Sequence, residues 1–261
     1  GQSSGTLSVG YVWQFSGAAG SGPAAFSNSA ANVSSDSMNT EWVSLHDLDG
    51  DGQLDLILST RNGQSDQLYL GDGAGGFQAG VSIASDTVLT RSIAVGDLDG
   101  DGDLDMVTGN RSSKNRYYKN DGMGVFTTGL DVASVVLVTE SVDLGDMDGD
   151  GDLDLLVGNA SATANDLYLW DQTLNGGVGG FSTESSACSD SRHTYWIEAA
   201  DVDGDGVLDV VSGNKGNINT LCKGDGAGGF GAGETWDGVA SQYSFAAHIV
   251  DIDGDGDVDI L

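Results

Sequence analysis

The residues of this chain best suited to chemistry are aspartates, and they recur in a nine-residue frame. The frame reads Asp47-Leu-Asp49-Gly-Asp51-Gly-Gln53-Leu-Asp55 and returns from Asp97, Asp146, Asp201 and Asp251. Carboxylates stand at positions one, three, five and nine of every copy. They are Asp97, Asp99, Asp101 and Asp105 in the second, Asp146, Asp148, Asp150 and Asp154 in the third, Asp201, Asp203, Asp205 and Asp209 in the fourth, and Asp251, Asp253, Asp255 and Asp259 in the fifth. Like charges at alternate positions repel strongly at short range unless a cation sits among them. Oxygen-only donors select a hard ion, and a flexible loop with many donors suits Ca²⁺ better than Mg²⁺. Glycine at position six permits the sharp turn that wraps such a loop. Position seven is Gln53, Asp103, Asp152, Val207 or Asp257. Valine has no side-chain donor, so this position is expected to offer its backbone carbonyl, and position nine to close the shell as a bidentate carboxylate. An EF-hand needs glutamate at position twelve, where this chain has Leu58, Thr108, Val157 or Ser212. The competing reading is an acidic surface turn without metal. Five copies in register, each with aspartate at position nine, argue against it. The expected cofactor is therefore about five Ca²⁺, one per loop.

The elements that must position these loops follow from the period. The first aspartates of successive frames are 50, 49, 55 and 50 residues apart in a chain of 261. A Gly-rich turn ending in Phe26, Phe77, Phe126, Phe181 or Phe230 precedes each frame by 20 or 21 residues. The extra residues of the third unit are expected near 170–173, as a loop insertion. Apolar residues lie two and four places before each frame (Leu45/Val43, Val95/Ile93, Leu144/Val142), the period of a strand. The segments LDLILS, LDMVTG, LDLLVG and LDVVSG read as second strands, and QLYLG, RYYKN, DLYLW and TLCKG as third strands. A fourth begins at the Phe. No segment shows helical periodicity with caps. Four short strands in a repeated 50-residue unit predict an all-β chain built as a β-propeller, one domain over residues 1–261. Residues 11–15 resemble a third strand, and residues 251–261 supply a frame and a second strand. Joining the two ends in one blade would close a ring of five, the favoured architecture; part of a seven-bladed propeller is the alternative.

With the loops, the LYL-type third strands and the Gly-rich turns at 71–77, 120–126 and 224–230, the unit resembles the FG-GAP/VCBS repeat of integrin α-subunit-like propellers and of many surface proteins. The resemblance covers essentially the whole chain. It implies a calcium-stabilised propeller in an extracellular, adhesive or ligand-binding protein. The place of the Gly-Ala-Pro signature reads Gly109-Asn110-Arg111 or Gly158-Asn159-Ala160, which favours the VCBS-like branch over an integrin-type partner.

Composition agrees. There are 40 acidic residues against 9 basic, a formal net charge of −31, and 23 of the acids lie in the five loops. Nucleic acid and anionic membrane surfaces are poor partners for such a chain. The longest apolar run, near 132–138, is far short of a membrane span. No charged-then-apolar leader opens the sequence, which reads as a signal already removed or lying outside these residues.

Other signals are weaker. The GxGxxG matches at 71–76 and 224–229 precede a strand rather than a helix, so they read as hairpin turns. His46, His193 and His248 share no ligand spacing; His46 and His248 read as packing residues. Cys188 and Cys222 are the only cysteines, and whether they meet in a disulfide is left open. Asp143 and Glu198 stand three places before their frames on first strands. They are candidates for an acid–base pair, with interblade or channel-lining polar groups as the favoured reading. Trp42 and Trp196, five places before their frames, are either exposed ligand-binding aromatics or interblade core, with core favoured. Asn32, Asn110 and Asn159 begin N-x-S sequons, and the last two are expected on exposed loops that could carry glycans. The function expected is a non-enzymatic extracellular module for adhesion or assembly at a cell surface or in a matrix, binding a protein or glycan partner or other subunits. A carbohydrate-binding lectin is the alternative, and a polysaccharide-active enzyme the less favoured third.

Overall fold

The computed structural model describes residues 38–260, apart from 62–63, 161–162, 183–184, 189–191, 237, 239–241, 247–248 and 257. The third-strand-like segment at 11–15, Phe26, Asn32, His248 and Asp257 lie outside the described residues.

Each repeat folds as an antiparallel meander of four strands. The first comprises β1 (Thr40–His46), β2 (Asp55–Thr60), β3 (Gln67–Tyr69) and β4 (Val81–Ser82). The second comprises β5 (Leu89–Gly96), β6 (Asp105–Ser113), β7 (Arg116–Tyr118) and β8 (Leu130–Asp131). The third comprises β9 (Leu137–Gly145), β10 (Asp154–Asn159), β11 (Asn165–Tyr168) and β12 (Ser185–Cys188). The fourth comprises β13 (Thr194–Ala200), β14 (Asp209–Asn217), β15 (Thr220–Cys222) and β16 (Glu234–Thr235). Next comes β17 (Gln242–Tyr243), and then β18 (Ile249–Val250) pairs β19 (Asp259–Ile260) to begin a fifth. First strands pack side by side in the order β1, β5, β9, β13. This is an all-β, propeller-type array. Among the described residues the only helical segment is a 3-10 turn at Leu174–Gly176, inside the lengthened third-unit turn, so the insertion lies where the period places it.

The expected fourth strand differs in detail. Phe77, Phe126, Phe181 and Phe230 each form one isolated bridge, to Gly71, Asn120, Trp170 and Gly224. The regular strand starts four residues later. The bridge closes the Gly-rich turn, and the chain then bends before pairing resumes.

Local sequence explains the hairpins. Both glycines of each loop have positive φ, for example Gly149 at 76° and Gly151 at 97°, a conformation that a Cβ makes costly. The second strands β2, β6, β10 and β14 are buried along their first six residues rather than alternately; for β6, β10 and β14 a neighbouring blade covers each face. The core therefore sits between blades. Between the second and third, Leu98, Val107 and Tyr117 meet Leu155, Tyr168, Trp170 and Phe181. The Tyr117 and Trp170 rings meet edge to face at 5.2 Å, as do Trp170 and Phe181. Trp196 is buried in the core that reaches Ile249 and Ile260, and Trp42 packs against Leu48 and its neighbours. Both tryptophans are interblade core.

Cys188 and Cys222 are joined in a disulfide, with Cα atoms 6.0 Å apart and a sequence separation of 34. It ties the outer strand of the third blade to β15 of the fourth. A loop of this length restricts the unfolded chain by about 3–4 kcal/mol. Reduction, or Cys188→Ser with Cys222→Ser, should lower unfolding free energy by about 2–4 kcal/mol in denaturant titrations; an unchanged midpoint would show that the bridge adds nothing.

Candidate metal centres

Each acidic loop joins a first strand to a second, and its backbone folds onto its own carboxylates. The position-six N–H donates to the position-one carboxylate in all five loops: Gly52 to Asp47 (2.9 Å), Gly102 to Asp97 (3.0 Å), Gly151 to Asp146 (3.1 Å), Gly206 to Asp201 (2.9 Å) and Gly256 to Asp251 (3.1 Å). The position-seven N–H donates to position five in four loops, from Gln53 to Asp51, Asp103 to Asp101, Asp152 to Asp150 and Val207 to Asp205, at 2.8 to 3.0 Å.

Position nine is anchored from both sides. Asp55 accepts from Leu48 and Gly71 N–H at 2.8 Å each, and Asp154 from Met147 and Trp170 N–H at 2.9 Å each. Asp105 accepts from Leu98 and Asn120, Asp209 from Val202 and Gly224, and Asp259 from Ile252. This carboxylate ties its loop to the turn after the third strand. Burial pushes the carboxyls of Asp105 and Asp154 up to about 6, against the pull of these N–H groups.

The folded loops bring carboxylate oxygens within 4.8 Å of one another in five groups: Asp47, Asp49 and Asp55; Asp97, Asp99 and Asp101; Asp146, Asp148 and Asp154; Asp201, Asp203 and Asp209; Asp251, Asp253 and Asp255. Positions one, three and nine thus meet in three loops, and positions one, three and five in two. Asp51, Asp150 and Asp205 stay outside these groups, as do Asp105, Asp259 and the position-seven side chains Gln53, Asp103, Asp152 and Val207. Burial, then the neighbouring carboxylates, raise Asp49 and Asp148 above the usual carboxylate range. Asp47 Oδ1, Asp97 Oδ1 and Asp99 Oδ1 are shielded from solvent and have no hydrogen-bond partner. Orphaned oxygens in an all-oxygen cluster fit a hard divalent cation. Calcium there would neutralise the converging carboxylates.

Two lysines reach two of these loops. Lys119, just after β7, bonds Asp99 and lies 2.8 Å from Asp101 Oδ2. Lys223, just after β15, lies 2.8 Å from Asp203 Oδ2. Both ammoniums are held above the usual lysine range by these carboxylates.

The first strands carry a second polar system. Val142 N–H donates to Ser92 Oγ at 2.8 Å, Ile197 N–H to Ser141 Oγ at 3.3 Å, and Ala199 N–H to Asp143 Oδ2 at 2.8 Å. Glu198 accepts from Ile249 N–H. Asp143 and Glu198 therefore bridge blades as acceptors. Burial pushes Asp143 up to about 6; burial and then the Asp143 charge push Glu198 up to about 7. The folded state binds these protons more tightly than the unfolded chain, so this contribution to stability is present in acid and lost as pH rises through about 6 to 7. In chelator, stability should rise by on the order of 1–2 kcal/mol from pH 7.5 to 5.5 through this pair, and Asp143→Asn with Glu198→Gln should make the slope shallower, leaving the part due to Asp105 and Asp154. An undiminished rise after both substitutions would assign it wholly to other carboxylates.

Six places before each frame stand Glu41, Arg91, Glu140, Tyr195 and Phe245. Arg91 bridges Glu41 at 2.9 Å and donates through Nε to Glu140 at 2.7 Å. Tyr195 and Phe245 stack at 4.7 Å. Sequence reasoning passed over this row, although its fixed offset from the frames was readable. The two lysines were hidden for another reason: nothing local says that the side chain turns back to a loop about 20 residues earlier.

The sequons require a correction. Asn110 and Asn159 are fully buried, not exposed. Asn110 Nδ2 donates to Lys114 O at 2.8 Å, and Asn159 Nδ2 to Ala164 O at 2.9 Å. They brace the turn between second and third strands, as Asn214 does through Ile218 O at 3.0 Å, so neither amide is free to carry a glycan in the folded chain. His46 is half-buried and meets Ser44 Oγ at 2.6 Å, consistent with a packing role.

Comparison with known proteins returns one family, described as FG-GAP-like repeat, matched at residues 47–108, 97–157, 146–212 and 201–261. No curated protein matches the chain. Among solved structures, an Agrocybe aegerita lectin that specifically recognises non-reducing terminal N-acetylglucosamine is 19% identical with TM-score 0.64, over 92% of this chain and 66% of the lectin. The biofilm matrix protein Bap1 of V. cholerae is 20% identical with TM-score 0.48, over 85% of this chain and 34% of that one. The chain thus spans slightly under two-thirds of the lectin and about one-third of the matrix protein.

Proposed function

The chain belongs to the FG-GAP-like repeat family, and from that premise we propose that it is a calcium-stabilised propeller acting outside the cell as an adhesion or assembly module. The observation that carries this reading is the five-fold recurrence of converging carboxylates, with three buried oxygens left without partners. The residues that would hold the ions are those of the five groups, with position-seven carbonyls completing the shell. Calcium would fix the bend between first and second strands and take the formal charge from −31 to −21. The disulfide is compatible with an oxidising compartment. Asp143 and Glu198 spend their oxygens on backbone N–H groups of the next blade, which supports a binding role over an acid–base one.

A second reading, a glycan-binding lectin, has its own support. Tyr195, Phe245 and Tyr243 stack at 4.7 and 6.3 Å, the last two are exposed, and the Lys215 ammonium lies over the Tyr195 ring at 5.6 Å. Flat aromatic faces beside a polar group suit a sugar ring. The similarity to the N-acetylglucosamine lectin is of fold alone.

The test is binding of the whole chain to a glycan array and to immobilised matrix proteins, in calcium and in chelator. Calcium-dependent capture on matrix protein supports adhesion. Saturable binding to one glycan class, lost on Tyr243→Ala with Phe245→Ala, favours the lectin. Blank surfaces from a folded, calcium-loaded sample would sink both.

A further inference from the structure

Repeats two and four differ from repeats one and three in two independent ways. Their second strands run nine residues instead of six, and the extra residues pair onward: Arg111 with Val138 of β9, and Lys215 with Tyr243 of β17. They also place a lysine after the third strand, where repeats one and three have Leu70 and Leu169. Those leucines turn towards the next blade, close to Gly124 and Gly228 of its Gly-rich turn. Lys119 and Lys223 turn instead to their own acidic loops.

Resting on the calcium reading above, we infer that Lys119 and Lys223 are built-in counter-ions, so that the chain carries two grades of calcium site: tighter ones in repeats one and three and weaker, lysine-gated ones in repeats two and four. The ammonium occupies oxygens that a cation would need. Lys119 bonds Asp99 and Asp101, both of the second cluster, and Lys223 bonds Asp203 of the fourth. The site is nonetheless unsatisfied: the Asp99 side chain is only 8% exposed, and its Oδ1 still has no partner. One ammonium offsets one charge among three, leaving room for a divalent ion at a penalty. Calcium must either push the lysine out or bind beside a positive charge, and both weaken it. The same lysines hold the second and fourth loops together when calcium is absent, a support that the first and third lack.

Titration of the metal-free whole chain with Ca²⁺ by calorimetry tests this. The wild type should show two weak sites, about tenfold or more below the tight class, a ratio equivalent to about 1.4 kcal/mol. Lys119→Leu and Lys223→Leu, which copy repeats one and three, should each move one site into the tight class and lower Tm in chelator. Lys119→Gln and Lys223→Gln remove the charge with less change in shape and should do the same, which guards against a leucine variant that folds poorly. A single affinity class in the wild type, or a weak class that persists in both double variants, overturns the inference while leaving calcium binding intact. Absence of any calcium heat, with Tm unmoved by the ion, would overturn the calcium reading and the inference together.

Discussion

Asp154→Ala is expected to destabilise the folded chain by about 3–5 kcal/mol in chelator, and by more in calcium, where a proposed ligand of the third group is lost as well. Asp154 is 1% exposed and accepts from two backbone N–H groups, those of Met147 and Trp170. Its loss strands both donors, and a buried donor without a partner costs roughly 1–3 kcal/mol; the Trp170 backbone also starts the turn that carries the aromatic cluster. Asp154→Asn keeps one acceptor and should recover part of the loss. Asp150, in the same loop but exposed, is the control. Its Oδ1 accepts only from Asp152 N–H, so Asp150→Ala should change stability by less than about 0.5 kcal/mol in chelator. Denaturant unfolding of the three variants reads the difference. Equal losses at 150 and 154 would mean that the loop acts as one acidic patch, with no privileged anchor.

Removing calcium should lower Tm by about 10 °C or more. A ligand that binds only the folded chain at 100 times its Kd adds about 2.7 kcal/mol per site. Two occupied loops already suffice for that shift in a chain of this size, at roughly 2–4 °C per kcal/mol. Scanning calorimetry with saturating calcium and again with chelator makes the comparison. The acid side has a sign of its own. In chelator, falling pH favours the folded state through Asp143 and Glu198; in calcium, protons compete for the ligands, so the benefit of the ion shrinks. Coincident melts with and without calcium at neutral pH would end the structural-calcium proposal.

Much of this architecture is legible in one sequence because the repeat tests itself. A single DxDGDG turn is ambiguous, but five in register with alternating apolar residues before each fix the strand–loop–strand unit. The turn-closing phenylalanines mark its far edge. What stayed hidden depends on contacts between repeats. Nothing in Asn110-Arg-Ser tells a sequon from a buried turn brace; the distinction lies in Lys114 O, which the amide reaches only after the hairpin forms. The pairing of Cys188 with Cys222 needed the side-by-side placement of β12 and β15. Position nine looked like one more ligand, yet its two backbone donors come from the loop and from a turn 15 or 16 residues further on.

The covalent link between the third and fourth blades has a mechanical side. A chain pulled from its two ends lengthens only by segments that tension can reach. The segment from Cys188 to Cys222, a sequence separation of 34, forms a closed loop beyond that reach, and it includes the whole acidic loop from Asp201 to Asp209. At about 3.3–3.6 Å per residue, roughly 110–120 Å of slack stays locked away. Under shear, the first, second, third and fifth acidic loops can be drawn out, while the fourth stays short until the bridge is reduced. Redox state, not calcium, would then set how far this molecule stretches before it yields.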